Sequence, residues 1–99
     1  MTYQPYIVEG PHGVCLVLRD EDENGMGRNK MSVYVDFSSH FGQPAEAQIN
    51  WSALGSVDID TATEYAVMLE CACEVARQFR DGSRANPETV TWTKLDSWT

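Results

Sequence analysis

One amphipathic helix, over residues 58–81, constrains the fold of this chain more than any other sequence feature. Asp58 suits the N-cap position, and Asp60 and Glu64 place carboxylates in or near the first turn, where the helix dipole favours negative charge. Asp81-Gly82-Ser83 ends the helix. Apolar residues recur at spacings of three and four: Ala62, Tyr65, Ala66, Leu69, Ala72, Cys73, Ala76 and Phe79. The pattern predicts one long helix that packs this stripe against the core.

Four strand-like segments precede the helix. Residues 3–9 and 14–18 are rich in apolar side chains, and the second run is continuous enough for a central strand. Residues 31–37 and 45–51 alternate apolar and polar residues, which is typical of strands with one solvated face. We therefore expect a single α+β domain, an antiparallel β-meander of four or five strands with one long helix packed on one face. Residues 84–99 are predicted to form either an edge strand or a tail.

The composition of the chain excludes several classes of partner. Its 99 residues include 15 acidic and 7 basic residues, which gives a net charge of −8. Because nucleic acids and anionic membranes are bound by clustered Lys and Arg, we expect no direct contact with either, and a basic protein as the partner. No apolar run approaches the about 18 residues of a membrane-spanning helix, and the sequence does not open like a secretory leader. We expect a cytoplasmic protein with reduced cysteines.

The segment Asp20-Glu-Asp-Glu-Asn-Gly25 matches the opening of a calcium-binding loop. The match then ends, because Met31 occupies the position of the bidentate glutamate. These residues are predicted to form either a weak calcium site or a solvated hairpin loop. His12 and His40 lie in turn-like stretches without an evident acid–base partner, and no catalytic motif is present. We expect a non-enzymatic protein with no cofactor and no dedicated metal site.

The side of the predicted helix that faces away from the stripe mixes carboxylates with apolar residues. Val67, Met68, Cys71 and Val75 lie close together there, and a fully solvated face rarely groups such residues. One interpretation is that the helix is buried on two sides, and another is that this patch contacts a second protein. A third is that Met68 and Val75 border the core, which leaves only Val67 and Cys71 exposed.

These patterns predict a small acidic protein-binding module. Its carboxylates would steer a basic partner, and its apolar patch would supply the desolvated centre of the interface. The predicted contact residues are Asp20, Glu21, Asp22, Glu23, Glu64, Val67, Met68, Glu70, Cys71, Glu74 and Val75. The alternative is a homodimer built through the same helix face. Trp92 and Trp98 are predicted either to pack onto their own domain or to dock on a partner.

The segment Ile49-Asn-Trp-Ser-Ala-Leu-Gly-Ser-Val-Asp58 leads directly into an alanine-rich acidic helix. Over residues 45–80 the chain resembles small accessory proteins encoded by actinobacterial phages and their hosts, in which a strand ending in Asn-Trp-Ser leads through Gly-Ser-Val to a capped helix. The resemblance implies a mobile-element protein that binds and inhibits a host or defence protein. It implies no catalytic residues.

Overall fold

The structure is a computed structural model that describes residues 3–20, 28–37, 47–53 and 55–98, with only the backbone of Arg28. Its elements are β1 (Tyr3–Gly10), β2 (Gly13–Asp20), β3 (Arg28–Asp36), β4 (Gln48–Ala53), α1 (Ile59–Arg80) and β5 (Thr91–Lys94). The five strands form one sheet in the order β4-β3-β2-β1-β5, and every neighbouring pair is antiparallel. The α+β prediction is therefore confirmed, with one helix against one face of an antiparallel sheet.

The central strand β2 owes its position to its continuous apolar run. Val14, Leu16 and Leu18 point to the helix side and are almost completely buried, and Val17 is buried on the opposite side. β2 is hydrogen-bonded along both edges, to β1 and to β3, so it lies inside the sheet. The register with β3 shifts at Leu18/Arg19, where the ladder has an irregularity.

The ends of α1 are capped as the sequence predicts. Asp58 is the N-cap, and its Oδ1 accepts a hydrogen bond from the Thr61 backbone N–H at 2.8 Å. Hydrogen bonds from Thr61 lower the pKa of the Asp58 carboxyl. At the other end, Gly82 has φ 73°, a left-handed conformation that glycine adopts without steric cost, and its N–H donates to the Phe79 carbonyl at 3.1 Å.

The buried side of α1 differs from the predicted stripe. Met68, Ala72 and Val75 are buried against β2, β3 and β4, whereas Ala62 and Ala66 are exposed. The helix is thus rotated about its own axis, relative to the predicted orientation. The rotation is smaller than the angle of about 100° between successive residues. Larger apolar side chains gain more from burial than alanine, so Met68 and Val75 face the sheet.

This rotation corrects two of the predicted contact residues. The side chains of Met68 and Val75 are 0% and 5% exposed, so the prediction that they belong to a partner-binding surface is wrong. They are core residues, in contact with the buried residues of the sheet.

Candidate functional site

The predicted acidic contact residues occupy separate parts of the molecule. Glu70 and Glu74 are exposed on the outer side of α1, where Glu74 forms a solvent-exposed ion pair with Arg77 at 3.2 Å. Asp20 is half-buried at the end of β2. Residues outside the described ranges are Glu21, Asp22 and Glu23, together with the rest of the calcium-like loop and His40. Among the described side chains, no three of His, Cys, Asp or Glu converge as a metal site.

The flank of α1 nearest β1 is occupied by the chain's own C-terminal segment. The Trp98 indole Nε1 donates a hydrogen bond to Glu64 Oε1 at 3.0 Å, and Trp98 packs against the core. The Arg84 guanidinium donates to Gln78 Oε1 at 2.9 Å and to Glu9 Oε2 at 3.0 Å, with its side chain mostly buried. Glu64 is therefore engaged within the molecule, and Trp98 is docked on its own domain.

Cys71 lies on the same flank, two turns from both Glu64 and Gln78. Burial raises the pKa of the Cys71 thiol, and the nearby Arg84 charge opposes that shift. Burial also raises the pKa of Cys15. Both thiols are therefore protonated at neutral pH, which leaves little of the reactive thiolate. With Cys71 and Val67 half-buried, the outer side of α1 does not present the apolar patch that the sequence predicts.

A second surface with apolar side chains lies on the opposite face of the sheet. Because strand residues alternate, the side chains next to the inward-facing Val14 and Leu16 point away from α1. The strand registers align one such residue from each strand in a single row: Trp92, Val8, Cys15, Tyr34 and Asn50. The adjacent row contains Lys94, Tyr6, Val17, Ser32 and Ser52. The open face is defined here as Tyr6, Val8, Cys15, Val17, Tyr34 and Trp92.

Two aromatic side chains of the open face are exposed. Trp92 is 57% exposed and Tyr34 is 38% exposed. The Trp92 ring meets the Tyr6 ring edge-on, with centroids 6.0 Å apart. α1 covers only the other side of the sheet, so no described element packs over the aromatic row.

Gly13 lets Tyr34 lie flat along the sheet. A Cβ atom at Gly13 would lie 2.7 Å from the Tyr34 Oη atom and 2.8 Å from its Cζ atom, which means that the phenol ring covers the glycine backbone. Partial burial raises the pKa of the Tyr34 hydroxyl, and Asp36 and Cys15 raise it further. The hydroxyl therefore stays protonated at neutral pH and can donate a hydrogen bond.

A separate apolar groove lies between β4 and the C-terminal half of α1. Its volume is about 460 Å³, and it is lined by Ala47, Ile49, Cys73, Ala76, Arg77, Phe79 and Arg80. The Phe79 ring is stacked on Phe37 at a centroid distance of 4.1 Å, which fixes one wall. Trp51, 64% exposed, lies on the same side of β4.

Most of the open-face residues are absent from the contacts that the sequence predicts. Alternation in residues 31–37 places Tyr34 on the solvated side of its strand, and Trp92 stands out by composition. Their proximity depends on β5 returning beside β1 after the helix. No local sequence signal specifies that pairing, so the sequence alone could not predict that Tyr34 and Trp92 lie in the same row.

No family model matches this chain, and no curated protein or solved structure matches it significantly. Among the described residues, no helix combines the length and the apolar character needed to cross a membrane.

Proposed function

We propose that this protein is a small acidic protein-binding module that acts in the cytoplasm, and that the open face is the centre of its contact with a basic partner. The observation that carries the proposal is the row in which Trp92, Val8, Cys15 and Tyr34 lie side by side on four paired strands. This row replaces the outer side of α1 as the apolar centre of the interface.

The side chains of the open face are of the types that dominate protein interfaces. Trp and Tyr are enriched among the residues whose truncation costs most binding energy, because they bury a large area at a small entropic cost. Here they stand on a hydrogen-bonded sheet, and the ring of Tyr34 is supported by Gly13. A rigid surface of this kind loses little conformational freedom when it is covered.

Charge favours a basic partner. The net charge of −8 attracts cationic proteins over a distance of about one Debye length, and exposed Glu70 and Glu74 contribute to that field. At contact, Arg and Lys side chains pack favourably on the faces of Trp and Tyr rings. Asp36 follows Tyr34 on the same side of β3, and Lys94 follows Trp92 on the same side of β5, so the partner's cations are expected nearer to Asp36 than to Lys94.

The resemblance of residues 45–80 to phage accessory proteins supplies the biological setting of the proposal. In that setting the partner belongs to a host or defence complex, and the module inhibits it by covering a basic surface. Inhibition of this type requires only tight binding, so it needs no catalytic residue.

Trp92→Ala is expected to weaken capture of the partner by about tenfold or more, because the substitution removes the most exposed ring of the open face. The measurement is affinity capture from lysate of the source organism, followed by mass spectrometry and titration of the captured protein. Trp51→Ala is the matched control, since it removes a tryptophan of similar exposure from the other side of the sheet. Equal losses for the two variants, or no loss for Trp92→Ala, would exclude the open face as the contact centre.

The charge contribution is tested by Glu70→Lys combined with Glu74→Lys. This double variant changes the net charge by four units on an exposed helix face, so association with a basic partner is expected to slow several-fold at low salt. The difference from wild type should shrink as NaCl is raised, because salt screens exposed charges. A loss of capture that is the same at all salt concentrations would contradict steering by these carboxylates.

A further inference from the structure

The sheet has one edge strand that nothing in the described chain protects. Within the described strands β4 pairs with β3 alone, so no described strand is paired with its other edge. Natural edge strands are blunted by charge, proline, bulges or short length, and the six residues of β4 have neither charge nor proline. The opposite edge, β5, has four residues and carries Lys94.

An exposed tryptophan of β4 lies beside an apolar groove that it does not fill. Trp51 pairs with Val33, and Ile49 pairs with Val35. Because Val33 and Val35 are core residues, Trp51 and Ile49 also point to the helix side of the sheet. Ile49 lines the groove against α1, whereas Trp51 is not among the lining residues.

We infer that β4 pairs antiparallel with β4 of a second copy of this chain, across a two-fold axis at Asn50. In this register Ile49 of each copy lies opposite Trp51 of the other, on the helix side of both sheets. The indole of one copy then covers the groove of the other, next to Ile49 and Phe79. Each groove is then completed by Trp51 of the other copy, since the Trp51 of the same chain is not among the described lining residues.

The charges around β4 make this edge a more favourable contact for a second copy than the rest of the surface. Two copies of net charge −8 repel each other, so self-association requires a contact with few acids. β4 is uncharged, and among the described residues that line the groove the charged ones are Arg77 and Arg80. A guanidinium beside an indole ring is favourable.

The proposed pairing closes the assembly at two copies. Both copies use the same edge, so the contact is isologous, and the β5 edges remain at the far ends of a ten-stranded sheet. The two open faces lie on one side of that sheet. The inference is independent of the proposed function, because a dimer through β4 leaves the open face uncovered.

Sedimentation velocity of the full chain tests the inference, over protein concentrations from about 1 μM to about 1 mM, the range in which modest interfaces associate. The wild type is expected to shift from monomer to dimer, and Trp51→Ala to raise the dissociation constant at least about tenfold. Asn50→Lys places two lysines opposite each other at the axis and should have a similar effect. Trp92→Ala, the matched control, should dimerise like the wild type. Far-UV circular dichroism checks that each variant is folded.

Salt distinguishes this dimer from capture of a basic partner. Raising NaCl from about 0.1 M to about 1 M shortens the Debye length from about 10 Å to about 3 Å, which relieves repulsion between like-charged copies. Dimerisation should therefore tighten with salt, whereas capture of a basic partner weakens. A wild type that stays monomeric throughout, a dimer unaffected by Trp51→Ala, or a dimer lost with Trp92→Ala would each overturn the inference.

Discussion

Met68→Ala is expected to lower the free energy of unfolding by about 3 kcal/mol, because the substitution empties a fully buried site between the helix and the sheet. The thioether side chain contributes to the core that joins α1 to β2, β3 and β4. Its loss removes apolar burial and leaves a cavity that the surrounding strands can only partly fill. Urea unfolding measures the change, with an unchanged denaturant slope as the sign that the native and unfolded states are otherwise alike.

Ile59→Ala is the matched control for Met68→Ala. Ile59 belongs to the same helix and has a side chain of similar size, but it is 84% exposed. Its removal is expected to change stability by no more than about 0.5 kcal/mol. Similar effects of the two substitutions would show that Met68 does not face the sheet. The prediction that Met68 is a solvent-exposed contact residue would then stand.

The architecture was predictable because each element is encoded locally. The continuous apolar run of residues 14–18 predicts the central strand, and Asp58 and Gly82 bound the helix through backbone preferences of their own. Alternation in residues 31–37 likewise separates the core side of β3 from its solvated side. These signals do not depend on which strand or helix packs against the element, so they could be interpreted before the fold was known.

The rotation of α1 was not predictable in the same way. Alanines make up half of the predicted stripe, and a spacing of three and four residues takes no account of side-chain size. The sheet selects by size, because Met68 and Val75 fill space that alanine would leave empty. The predicted contact surface depended on that orientation, and this explains why two of its apolar members lie in the core.

The open face depends on the pairing of β5 with β1, which no local sequence pattern predicts. β5 follows the helix and returns to β1, which carries Trp92 to the row of Val8 and Tyr34. The C-terminal segment then continues to Trp98, which packs near α1. The two tryptophans of this segment therefore have different roles: Trp98 is partly buried against the core, and Trp92 is exposed at a candidate interface. Composition alone could not separate them.

Gly13→Ala is expected to destabilise the fold by about 1–3 kcal/mol, the usual cost of forcing extra volume into a packed position. An added Cβ would overlap the Val35 backbone carbonyl oxygen and would lie 2.7 Å from the Tyr34 Oη atom. The carbonyl belongs to the neighbouring strand and cannot move without disturbing the ladder between β2 and β3. The same change displaces Tyr34 from the open face, so partner capture should weaken together with stability.

Gly10→Ala provides the control within the same hairpin, because Gly10 pairs directly with Gly13. A Cβ atom there would meet the Val90 Cγ2 atom at 3.5 Å and the Gly13 carbonyl oxygen at 3.8 Å, which are ordinary contacts. Gly10→Ala is expected to be neutral within about 0.5 kcal/mol, or slightly stabilising through the loss of unfolded-state freedom. Urea unfolding of the two variants side by side isolates the steric effect of the Tyr34 ring and the β3 backbone. Equal midpoints would mean that Tyr34 is not held over Gly13, and the rigid aromatic row would lose its support.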